Sequence, residues 1–223
     1  MRVEFDFAAV LSEWPFLLKG VYWTLGLTAI STILGVSLGV VFARLKLKGS
    51  GVTRFIVSAY VEVIRNTPFI VQLFFIFFGL PTLGLKLSPE WASVLAMLIN
   101  LSAYSTEIIR AGIEATPIGQ LEAAKSLALS ERHIFSRVVL PQALERIWPA
   151  LVSQIVIVML GSAVCGQIST QELSYAANVI QSRNFRAFEA FIVATSIYLA
   201  LSIALRWSLN RIGPLFLFGT RRG

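Results

Sequence analysis

The sequence predicts an all-α, polytopic membrane protein with five transmembrane helices and one long cytoplasmic loop. Three observations support this. The chain has 223 residues, 56% of them apolar and only 14% charged, with a mean hydropathy of +0.75. A soluble domain carries roughly 25% charged residues. Its apolar residues come in runs of about 20, enough to cross a hydrocarbon layer of about 30 Å. Its Lys and Arg residues concentrate in alternate loops. The same composition excludes a disordered chain or a disulfide scaffold, Cys165 being the single cysteine. Residues 1–223 read as one transmembrane domain.

The first 19 residues hold Glu4, Asp6 and Glu13 with no basic n-region, unlike a cleavable signal peptide. The first span is expected at about 17–43, where Gly35 and Gly39 form a small-residue stripe suited to a close helix contact. The second, at about 55–80, contains Glu62 and Arg65 three residues apart, where they can pair. They are read either as a structural ion pair or as the inner end of a path. Thr67-Pro68 interrupts this span and Pro81 closes it.

The third span, about 89–109, begins at Ser88-Pro89-Glu90, a capping serine followed by proline. Asn100 and Ser102 lie near its middle, where unpaired polar groups are costly, and Glu107 and Arg110 repeat the three-residue spacing. A long loop, about 115–147, follows. Thr116-Pro117 opens one short helix and Ser130 a second, from Glu131 to Val139. Such a pair either packs on its own bundle or docks a soluble protein, with Glu122 as a charged handle beside small Ala123 and Ala124. The last spans are expected at about 149–168 and 188–207.

Charge orients the chain. Arg44, Lys46, Lys48, Arg54, Arg65, Arg110, Lys125, Arg132, Arg137, Arg146, Arg206, Arg211, Arg221 and Arg222 fall on one side, and Arg2, Lys19, Lys86, Arg183 and Arg186 on the other. The positive-inside rule puts the N-terminus outside and the C-terminus in the cytoplasm. The net charge of +7 is read as membrane flanking, since no basic patch interleaved with aromatics marks a nucleic-acid site.

Catalytic constellations are missing. His133 is the only histidine, on the opposite side from Cys165, so neither a metal cluster nor a Cys-His pair assembles. No Gly-rich phosphate loop with a lysine is present, and energy has to come from a partner.

Glu122-Ala123-Ala124, then Ala128 four residues on, then Val138-Val139-Leu140-Pro141, resembles the EAA loop of ATP-binding-cassette importer permeases. Ala128 stands where that family has glycine. A turn at positive φ there would cost alanine about 1 kcal/mol or more. Tyr60 to Pro81, Ala103 to Ile113, Gly119-Gln120 and Pro141 to Leu144 are similar to the polar amino-acid branch of the family. The resemblance implies an inner-membrane permease subunit, not itself an enzyme, with ATP and Mg held on two partner ATP-binding-cassette subunits and no cofactor on this chain. It implies a second permease subunit and a periplasmic or lipid-anchored amino-acid-binding protein. It assigns ATPase coupling to Glu122, Ala123, Ala124, Ala128, Leu140 and Pro141. It also implies a substrate path near Asn100 and Ser102, to which Ser162 and Glu107 are added as candidates.

Where substrate-holding members carry lysine-aspartate-threonine-serine in the fourth span, this chain has Leu160-Gly161-Ser162-Ala163, which leads us to expect a heterodimeric permease. Arg183, Arg186 and the N-terminal Glu4-Phe5-Asp6-Phe7 suggest glutamate or aspartate as substrate. The alternative is an ion channel or ion-coupled secondary transporter, against which the ionisable residues gather at helix ends and no internal repeat stands out.

Overall fold

The computed structural model describes residues 5–217; Arg2, Glu4, Arg221 and Arg222 lie outside the described residues. Among the described residues the chain is helical throughout, without a β-strand. α1 (Phe7–Leu11) is a single turn, started by the Asp6 carboxylate accepting the Ala9 N–H at 3.1 Å. α2 (Trp14–Lys48) has proline in its first turn and runs about 52 Å at 1.5 Å per residue. It continues past Ala43 through Arg44, Lys46 and Lys48.

The second span is not one helix: it breaks at Thr67-Pro68, the interruption expected from the sequence. α3 (Gly51–Arg65) meets α4 (Phe69–Phe74) at a bend of 109°, and α4 winds on through a π turn (Phe75–Gly79) and a 3-10 turn (Leu80–Leu83). Pro68 has no N–H and forces Thr67 out of the helical region. The Gln72 amide then fills the break: its Nε2 donates to the Ile64 carbonyl at 2.7 Å, the Thr67 carbonyl at 3.1 Å and Thr67 Oγ1 at 2.9 Å. Backbone freed at membrane depth is thus satisfied inside the protein.

α5 (Pro89–Glu114) starts at Ser88, whose hydroxyl accepts the Trp91 N–H. The loop carries α6 (Ile118–Ser126) and α7 (Glu131–Ile134), and a π turn (Phe135–Val139) joins α7 to α8 (Leu140–Gly161) without a gap. The fourth apolar helical run therefore starts well before Pro149, which sits inside α8. A 3-10 segment (Ser162–Ile168) and left-handed Ser169 lead to α9 (Leu173–Asn184), an element not anticipated. Left-handed Phe185 then turns the chain into α10 (Ala187–Leu217). Four of these helical runs are long and apolar enough to cross a membrane, and the bent pair makes five if it counts as one span.

α2 and α5 pack along the small-residue stripe: a Cβ on Gly39 would lie 2.6 Å from Ser105 Cβ, and one on Gly35 3.0 Å from Leu101 Cβ. The main core gathers Leu27, Leu73, Met97, Leu101, Cys165 and Ile168, and a second core joins Leu17 to Leu173, Ala177 and Ala194.

Candidate functional site

The long loop folds on itself. Ala124 of α6 is buried against Ile134 and Val139, with Leu121, Val138 and Ile113 around them. Glu122 and Ala123 therefore face out, Ala128 beyond them is exposed, and Leu140 and Pro141 are half-buried where the loop rejoins α8. The turn between the arms places Ala128 at φ +54, the left-handed conformation that favours glycine. Ile118 and Leu127 are 72% and 75% exposed, so α6 presents uncovered apolar side chains beside Glu122. The starts of the two arms differ from expectation. Pro117 itself occupies the cap of α6, and the buried Thr116 hydroxyl has no partner. Ser130 bonds His133 Nδ1 at 2.8 Å rather than a backbone N–H.

At the base of the loop Arg146 Nη1 donates to the Ala115 carbonyl at 2.6 Å, tying α8 to the end of α5. Glu107 lies within a chain of charges: Lys46 of α2 on Oε1 at 2.5 Å and Arg110 on Oε2 at 2.8 Å, with Arg110 reaching on to Glu114.

The candidate path residues are not brought together as one set. Asn100 is half-buried and donates through Nδ2 to Gln72 Oε1 at 3.1 Å, linking α5 to the break between α3 and α4. Ser102 is fully buried, 2.6 Å from the Tyr60 hydroxyl, and donates to the Ile99 carbonyl. Ser162 is also fully buried and donates to the Met159 carbonyl at 2.6 Å. Glu62 and Arg65, read as a pair, take different partners. The Asn66 amide claims the Glu62 carboxylate at 3.0 Å as the helix ends, and Arg65 lies 5.5 Å over the Tyr104 ring.

A polar centre on the opposite side of the fold escaped the sequence reading. Glu172, fully buried, caps α9 by accepting the Ser174 N–H at 2.8 Å and the Tyr175 N–H at 2.7 Å. The Ser174 and Tyr198 hydroxyls donate to the same carboxylate. Thr24 of α2 accepts the Leu173 N–H at 3.2 Å. Burial pushes the Glu172 carboxyl above its ordinary value, outweighing the four donors that pull it down. Its neighbours Gln167, Ser169, Thr170, Gln171 and Ser174 are polar, so nothing in the local sequence set this acid apart from a surface loop.

A family model described as "Binding-protein-dependent transport system inner membrane component" matches residues 35–217. The chain belongs to this family. The matched region of the permease includes the folded loop, the bent span and the Glu172 centre. It is 34% identical over 204 residues to the arginine transport system permease protein ArtQ of Bacillus subtilis (strain 168), covering 91% of this chain and 93% of that one. It is 36% identical over 188 residues to the L-cystine transport system permease protein TcyB of the same organism, covering 84% and 80%. Among solved structures, a crystal structure of an amino acid ABC transporter with histidines aligns with a TM-score of 0.89 and 34% identity, over 96% of the permease and 100% of that chain. The inward-facing MetNI methionine ABC transporter shares the fold, with a TM-score of 0.72 at 19% identity. The permease is thus an inner-membrane transport component, in place of the channel or ion-coupled alternative.

Proposed function

We propose that this permease imports a polar amino acid by alternating access, driven by ATP hydrolysis on two partner ATP-binding-cassette subunits. The observation that carries this reading is α6, a short helix whose Glu122 and Ala123 face outward between uncovered Ile118 and Leu127. Apolar anchors beside one charge suit a groove on a soluble partner. Buried Ala124 and half-buried Leu140 and Pro141 support this coupling surface from behind, and exposed Ala128 shapes the turn beside it. The orientation follows the charge asymmetry, N-terminus outside and C-terminus cytoplasmic. A soluble or lipid-anchored binding protein delivers the substrate from outside.

The permease works as one half of a heterodimer. No charged side chain lies in Leu160–Ala163, and the Ser162 hydroxyl donates to the Met159 carbonyl. The unseen second subunit supplies most polar contacts to the substrate. Of the path residues on this chain, Asn100 supports a substrate role best: it is half-buried although its Nδ2 bonds Gln72, whereas Ser102 and Ser162 are fully buried and Glu107 is held by two cations. Glutamate and aspartate are the first substrates to test. Arg183 and Arg186 lend that choice little support, since they lie against Glu13 and Glu189.

The test is reconstitution in proteoliposomes with ATPase, binding protein and second permease subunit, measuring uptake over a panel of amino acids. We expect ATP-dependent uptake that Glu122→Lys abolishes while the complex still assembles. Full uptake by the Glu122→Lys variant removes α6 from coupling. Full uptake by wild type without the second permease subunit refutes the heterodimer.

A further inference from the structure

Along the chain α6 is joined to α5 by Ala115, Thr116 and Pro117, and its buried Ala124 shares a small apolar cluster with Ile113 of α5. That joint has no side-chain cap on α6, and the Thr116 hydroxyl is unpartnered. A push on α6 would dissipate there unless the base of the loop is stiffened, and two contacts do stiffen it. Arg146 Nη1 holds the Ala115 carbonyl at 2.6 Å across 31 residues of sequence. α8 comes close to α5 at this level, where a Cβ on Gly112 would lie 2.1 Å from Ile147 Cγ2. Glu107 then ties α5 to α2. Its Oε1 takes Lys46 Nζ at 2.5 Å, and its Oε2 takes Arg110 Nε at 3.1 Å and Nη2 at 2.8 Å. The Lys46 and Glu107 side chains are each only 16% exposed. Water screens such a pair less than a fully exposed one. Glu107 Oε1 is held across helices by Lys46 of α2, and Oε2 by Arg110 one turn along α5 itself.

We infer that Arg146, Glu107, Lys46 and Arg110 form a brace at the base of the loop, making α2, α5 and α8 move as one body with α6. Glu107 and Arg146 are then positioning residues for energy coupling. This rests on the reading that α6 docks an ATPase. Force entering at α6 passes to α5 through Ala115, to α8 through Arg146 and to α2 through Glu107 and Lys46. Without the brace, ATP is still hydrolysed by the docked partner, but its stroke bends the Ala115–Pro117 joint instead of moving the spans.

The test measures substrate taken up and phosphate released in the same proteoliposomes carrying the full complex. For Glu107→Gln and Arg146→Met, uptake per ATP should fall by about fivefold or more, the scale of an ordinary coupling free energy, with hydrolysis within about threefold of wild type. Lys46→Met should behave like Glu107→Gln, and Lys46→Arg, which keeps the charge, should restore the wild-type ratio. A ratio within about twofold of wild type in Glu107→Gln and Arg146→Met, whether both rates hold or fall together, overturns the brace and leaves a merely stabilising contact. If either variant fails to assemble, the Lys46→Met and Lys46→Arg pair decides by the same ratio. A wild-type complex that hydrolyses no ATP in response to loaded binding protein overturns the docking reading itself, and the brace with it.

Discussion

Ala128 and Glu172 show how single positions constrain this permease. At φ +54 alanine sits where an L side chain costs about 1–2 kcal/mol relative to its preferred regions. Ala128→Gly relieves that strain but gives back part of it through the freedom of glycine in the unfolded chain. We expect a net gain of about 0.5 kcal/mol, seen as a higher thermal midpoint in detergent; a lower midpoint counts against the strain. Glu172→Ala strips the acceptor from the Ser174 and Tyr175 N–H groups and the Tyr198 hydroxyl, while Ser174 Oγ keeps the Ala163 carbonyl, and buried unpaired donors cost about 1–3 kcal/mol each. The expected result is a markedly lower midpoint, with Glu172→Gln less severe. The carboxyl titrates above its ordinary value when folded, so the native state binds the proton more tightly than the unfolded chain does. Stability is therefore greater in acid and declines as pH rises from the ordinary glutamate pKa through the folded one. Glu172→Gln should flatten that decline, and an unchanged slope would assign it to another group.

Among the elements, what could be read in the sequence was what repeats locally. The stripe of Gly35 and Gly39 announced a close contact from its four-residue spacing alone, and α2 meets α5 there. The contact has a sharp test. Gly39→Ala puts a Cβ 2.6 Å from Ser105 Cβ and should cost about 1–3 kcal/mol. Gly26→Ala, on the same helix with open space around it, should be neutral or stabilise by about 0.5–1 kcal/mol. Equal midpoints for the two variants would deny the tight packing. The long loop was legible for the same reason, its two arms being marked by Pro117, Ser130 and helical spacing. The bend between α3 and α4 was not. Thr67-Pro68 signals an interruption, but the 109° bend goes with a contact no local pattern carries, the Gln72 amide reaching back eight residues to Ile64. α9 is short and mixed in polarity, and what fixes it is Glu172 with Thr24 of α2, a partner 149 residues from Leu173. The spacing that offered Glu62 to Arg65 said nothing of Asn66 or Tyr104, which took them instead.

For the molecule as a whole, the charge asymmetry predicts which end of each span faces which compartment, and Cys165 makes that testable. It is fully buried, so the native chain offers a quiet thiol background. A membrane-impermeant maleimide should label Ser182→Cys in intact cells and Lys125→Cys only once the cytoplasm is opened. The reverse pattern would turn the permease over in the membrane. The same global geometry depends on the π turn at Phe135–Val139, which joins the second arm of the loop to α8 without a gap. Each residue added to or taken from a helix rotates everything beyond it by about 100°. Deleting one residue of that turn would let it close as ordinary α-helix and swing α6 to another bearing, with no contact residue altered. The heading of Glu122 is thus stored as a count, a phase kept by chain length, and substitutions at Phe135–Val139 should be tolerated far better than a single deletion.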